Sequence, residues 1–116
     1  MLRREDAVRL RHMLDSAKEA VSFASGRLRE DLDTDRQLTL SLVRSLEVIG
    51  EAASSISIEC RNALPDIPWA NMIGMRNRLI HAYFDVNLTI VWKTVSEELP
   101  VLITVIEEVL GKEAGG

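Results

Sequence analysis

The chain has 116 residues, 47% of them hydrophobic and 28% charged, with a formal net charge of −4. That length makes one domain able to bury roughly two-thirds of its unfolded surface, so neither a disulfide framework nor a structural metal is needed for folding. An acidic balance excludes non-specific coating of nucleic acid and leaves room only for a local cationic pocket; the lone Cys60 excludes an internal disulfide and points to a reducing compartment; no apolar run approaches the ~18 residues of a membrane span. The N-terminal residues Arg3, Arg4, Glu5 and Asp6 lack a signal-peptide core, so the expected location is cytoplasmic.

Apolar residues recur at spacings of three and four, with turn signals between the runs and no alternating strand pattern. The first helix is expected to start near Asp6 as N-cap, to carry Ala7, Leu10, Leu14, Ala17, Val21 and Ala24 on one stripe, and to stop at Gly26. After a charged linker, Thr34-Asp35-Arg36-Gln37 reads as a capping box opening a second helix with Leu38, Leu42, Leu46, Ile49, Ala53 and Ile56 inward. Pro65 and Pro68 bracket a loop, and Pro68 suits the first turn of a third helix over roughly Trp69 to Ala82. Asp85 or Asn87 can cap the last helix, which buries Trp92, Val95, Leu99, Leu102, Ile106 and Val109. Pro100 falls inside that pattern, where its missing N–H frees the Ser96 carbonyl and bends the helix. The expected architecture is an all-α, antiparallel bundle of four principal helices plus short helical turns. One domain spans residues 1–110, followed by a flexible tail at 111–116.

The third helix concentrates the polar chemistry. The stretch Arg76-Asn77-Arg78-Leu79-Ile80-His81-Ala82-Tyr83 holds one of the two histidines and the only tyrosine. At ~100° per residue, Met72, Ile73, Met75, Leu79, Ile80 and Ala82 form an apolar arc from whose centre Arg76 and Tyr83 project, while Asn77, Arg78 and His81 fall on the opposite side. Arg76 is the anomaly, because an unpaired guanidinium on a buried face costs several kcal/mol. It needs a structural carboxylate such as Glu47 or Glu51, a ligand, or a wet interface. His81 has the titration range for proton transfer near neutral pH, or is a surface or capping residue. Tyr83 is a core ring with its hydroxyl at the rim, or presents that hydroxyl for chemistry. Asn77 can orient the imidazole, and Arg78 can add a phosphate contact; either can equally lie in solvent. Positions 76 and 81 diverge by ~140°, so they meet at one phosphate only if the helix ends early, the arginine wraps round, or a second subunit completes the site.

Other constellations fail. His12, Cys60 and His81 have no metal-site spacing, and there is no glycine-rich phosphate loop, nucleophile elbow or zincin motif. Glu47 and Glu51 share a helix face with Arg44, as a charged surface or the polar side of a subunit interface. Gly50, Ala52, Ala53, Ser54 and Ser55 are small enough for another helix to approach closely, within the bundle or across a dimer.

The motif stretch resembles the Arg-x4-His-x-Tyr signature of HepT toxins in the HEPN superfamily. The likeness extends to Arg44-Ser45-Leu46-Glu47-Val48-Ile49-Gly50-Glu51-Ala52, to Pro65-Asp66-Ile67-Pro68-Trp69, and to Val91-Trp92 and Leu99-Pro100, and so covers nearly the whole chain. Asn77 matches the polar residue that commonly follows the arginine. The resemblance implies an all-α homodimer with one composite, metal-independent and cofactor-free endoribonuclease site that uses the RNA 2′-hydroxyl as nucleophile. By carry-over, His81 is the general base or acid, Arg76 stabilises charge on the phosphate, and Asn77 and Arg78 assist. It also implies an MNT-type nucleotidyltransferase antitoxin that neutralises the toxin by AMPylation of Tyr83 or by tight binding. The competing expectation is a non-catalytic helical binding module that partners a nucleotidyltransferase or binds nucleotide.

Overall fold

The apolar stripes become the contact surfaces of a helical bundle. The computed structural model describes residues 2–81 and 87–115, without the side chains of residues 80, 81, 114 and 115. Its elements are α1 (Arg4–Ala24), α2 (Asp31–Thr34), α3 (Arg36–Ser55), α4 (Ile58–Ala63), α5 (Trp69–His81), α6 (Leu88–Lys93) and α7 (Leu99–Gly115), with a π-helical stretch at Thr94–Glu98 joining the last two. Residues 88–115 are thus one continuous helical run, which with α1, α3 and α5 makes four principal segments; α2 and α4 are short turns between them. Among the described residues there is no strand.

α3 is central, packed on α1 along one side and on α5 along another, and α7 covers α1. Each interior residue expected of α3, from Leu38 through Leu42, Leu46, Ile49 and Ala53 to the flanking Ile56, is buried. Leu10, Leu14 and Ala17 of α1 and Val95, Leu99, Leu102 and Ile106 of the last run complete this core; Ala7, Val21, Ala24, Trp92 and Val109 are half-buried at its edge. No helix among the described residues is long and apolar enough to cross a membrane.

The caps differ from the local expectation. Asp6 does not cap α1, which begins two residues earlier; it is buried, and its carboxylate accepts from the Ser57 backbone N–H at 2.9 Å and from the Ser57 hydroxyl at 2.7 Å. Ser57 is the N-cap of α4, its hydroxyl accepting from the Cys60 N–H. Thr34 belongs to α2 rather than to a capping box. The cap of α3 is Asp35, which accepts from the Leu38 N–H at 3.0 Å and also holds Arg27. α1 ends at Ala24, and Gly26 supplies the left-handed turn (φ 73°) that redirects the chain. Asn87 caps the last run, accepting from the N–H groups of Thr89 and Ile90; Asp85 lies outside the described residues.

Pro100 follows a change of helical register. The preceding turn widens to π geometry over Thr94–Glu98, so the loss of one donor is absorbed in a turn whose bonds already run one residue longer. α7 then continues through Gly111, with Gly111, Lys112 and Glu113 exposed.

Candidate functional site

α5 is set by a tie at its start and one close contact. At its start the Trp69 indole N–H is shared between the carbonyls of Arg61 and Leu64 at 3.1 and 3.0 Å, which ties the loop after α4 to the first turn. Along its length Met72 and Leu79 are buried, and Ile73 and Met75 half-buried, so these four members of the expected arc face the bundle; the Ile80 side chain and Ala82 lie outside the described residues.

Arg76 sits in the middle of that arc against Gly50 of α3. A Cβ placed on Gly50 would overlap the Arg76 Cβ and lie 2.6 Å from the Met72 carbonyl oxygen. The two helices therefore approach as closely as they do only because position 50 has no side chain. The stem of Arg76 lies against this backbone, and its Nε–H is buried without a hydrogen-bond partner among the described residues. Farther out, Nη1 donates to the Asn77 Oδ1 at 3.1 Å.

The carboxylates considered as structural partners do not take this role. Among the described residues no salt bridge involves Arg76, and Glu47 is instead paired with Arg44 at 3.3 Å. Glu51 is exposed and enters no such pair. A guanidinium partly stripped of water and held only by a neutral amide is an incomplete anion receptor: the remaining Nη donors are matched in charge and geometry to a carboxylate or phosphate.

Asn77 and Arg78 are exposed beside it, as expected from helical phase. The backbone of His81 is the last described part of α5; its side chain, and all of Tyr83, lie outside the described residues. Since the helix runs through position 81, an early helix end does not bring positions 76 and 81 together. Among the described residues no group of three or more His, Cys, Asp or Glu is placed to hold a metal ion. Cys60 is buried, and burial pushes its thiol above the ordinary value, with the nearby Asp6 charge adding to the effect.

A family model described as ribonuclease HepT-like matches residues 13–109, which include α3, α5 and the first part of α7. The chain belongs to the HepT-like ribonuclease family. It is 40% identical over 104 residues to a candidate RNase of Caldanaerobacter subterraneus subsp. tengcongensis, covering 90% of this chain and 93% of the relative. A candidate RNase of Methanocaldococcus jannaschii is 33% identical, with 86% and 92% covered. A candidate ribonuclease HepT of Thermococcus cleftensis is 44% identical over 73 residues, with 63% and 66% covered. No solved structure matches the chain at comparable significance. Membership of this HEPN-type ribonuclease family agrees with the all-helical fold and with the resemblance carried by the motif stretch of α5.

Sequence reasoning identified Arg76 as anomalous and Gly50 as small but did not join them. The signal was present only as two separate oddities, a cation on an apolar arc and a glycine inside a helix.

Proposed function

We propose that this HepT-like protein is the toxin of a type II toxin–antitoxin pair, a metal-independent endoribonuclease whose site is completed by two copies of the chain. The observation that carries the reading is the Arg76 guanidinium, seated on Gly50 with a dry, unpartnered Nε–H and no carboxylate neutralising it among the described residues. A phosphodiester is the ligand that such a group is built to receive.

In the reaction, the RNA 2′-hydroxyl attacks the adjacent phosphorus while His81 takes its proton. The new P–O2′ bond forms as the P–O5′ bond breaks, and the departing 5′-oxygen gains a proton from the second His81 or from water. The products are a 2′,3′-cyclic phosphate and a 5′-hydroxyl end. Arg76 stabilises charge on the non-bridging oxygens. Asn77, already bonded to Nη1, keeps the guanidinium head in place, and Arg78 adds a phosphate contact. The ~140° divergence of positions 76 and 81 on a helix that runs through position 81 supports completion of the site by a partner copy related by a two-fold axis.

An MNT-type nucleotidyltransferase antitoxin then silences the toxin by transferring AMP from ATP to the Tyr83 hydroxyl: the tyrosyl O–P bond forms as the α–β phosphoanhydride breaks, pyrophosphate leaves and the phenolic proton is lost. The added bulk and negative charge on the motif tyrosine disfavour an incoming RNA phosphate.

The test is incubation of wild-type and His81→Ala proteins with total RNA in chelator, followed by mapping of fragment ends. Cleavage by the wild type alone, with cyclic phosphate ends, is expected. Activity that requires added metal, or that survives the substitution, overturns the reading.

A further inference from the structure

We infer that Gly50 is a positioning residue for Arg76, fixing the side chain so that its Nη edge alone is offered to the RNA phosphate; the inference rests on the reading of Arg76 as a phosphate-binding group. Three features of the same spot converge. The space where a Gly50 Cβ would stand is filled by the Arg76 Cβ and Cγ and by the Met72 carbonyl oxygen. The Nε–H just beyond is excluded from water and has no partner among the described residues. The head group emerges immediately after it, with Nη1 on the Asn77 amide oxygen.

Contact at Cβ and Cγ removes the first rotational freedoms of a long side chain, and loss of those freedoms on binding is a main cost of using arginine. Arg76 meets a phosphate already ordered, with its Nε edge turned to the protein and its Nη edge outward. An orphaned Nε–H is unfavourable for stability. Its persistence here is explained if the close approach at Gly50 serves the aim of the head group rather than the packing of the bundle.

Alanine at position 50 cannot be absorbed by a flexible side-chain tip, because the obstructing atoms are a backbone carbonyl and a Cβ that every residue but glycine carries. α5 must move outward, and Arg76 moves with it.

The experiment is a double-substitution cycle read by binding of a 2′-O-methylated oligoribonucleotide, which lacks the nucleophile, together with proton exchange at the Arg76 Nε–H followed by nuclear magnetic resonance. Gly50→Ala is expected to weaken binding about tenfold in the wild-type background and less than about twofold in the Arg76→Ala background. Equal losses in both backgrounds would show that Gly50 serves the fold alone. In the wild type the Arg76 Nε–H signal is expected to exchange slowly with water and in Gly50→Ala rapidly. Rapid exchange in the wild type overturns the inference even if Gly50→Ala does not fold. Failure of the wild type to bind RNA while its Nε–H stays protected would instead count against the nuclease reading and confine Gly50 to seating the side chain.

Discussion

Asp6 and Ser57, 51 positions apart, share two hydrogen bonds through which the first turn of α1 caps the N-terminus of α4. Burial opposes the Asp6 charge, but the Ser57 hydroxyl and N–H, with Arg3 and Arg9 nearby, outweigh it and hold the carboxyl below its ordinary value of 3.8. A carboxyl whose pKa is lower in the folded than in the unfolded chain favours folding above the unfolded value. That contribution is lost as pH falls through the folded value, because the unfolded chain takes up the proton first. Asp6→Ala is therefore expected to cost about 2 kcal/mol at pH 7, by urea unfolding, and progressively less below about pH 4. A pH-independent cost would show that the carboxylate charge plays no part.

The orphaned Nε–H of Arg76 predicts a trade between stability and activity. Arg76→Met keeps the stem on Gly50 and removes the buried donor, so it should raise folding stability by about 1 kcal/mol while abolishing RNA cleavage. A fall in stability measured by thermal unfolding would mean that the guanidinium makes a structural bond after all.

Trp69 offers a control away from the chemistry. Trp69→Phe removes the indole N–H shared by the Arg61 and Leu64 carbonyls and should destabilise the protein by about 1–3 kcal/mol, since two half-buried acceptors lose a partner. Hydrogen exchange should quicken first in the amides of α4 and of the initial turn of α5. Uniform acceleration across the bundle would contradict a local tie.

Neutralisation is testable at one atom. Tyr83→Phe, incubated with the cognate nucleotidyltransferase and labelled ATP, should gain no AMP by intact mass while retaining RNA cleavage. Undiminished labelling would place the acceptor elsewhere.

The cap of the last helical run gives a further check. Asn87→Ala deletes the acceptor for the Thr89 and Ile90 N–H groups, with an expected cost of about 1 kcal/mol in chemical unfolding. No change would mean that water satisfies those donors equally well.

The amino-acid sequence by itself determined the helical content, the inward faces of the principal helices and the anomaly at Arg76. Each of these is written in residues three or four apart, and that spacing is the period of the helix itself. The stripe from Leu38 to Ile56 needed no knowledge of its partners to be read correctly. The assignment of caps failed where a polar residue had two customers: Asp6 suits the start of α1 locally but meets stronger donors on Ser57, and Thr34 yields to Asp35, which caps α3 while binding Arg27. The widened turn at Thr94–Glu98 also escaped, because Pro100 announces a missing donor without saying how the backbone will redistribute its bonds. The contact of Gly50 with Arg76 was decided only by tertiary structure. A glycine's lack of a side chain acquires meaning from whatever fills the vacated space, and here that is a helix 26 residues farther along the chain.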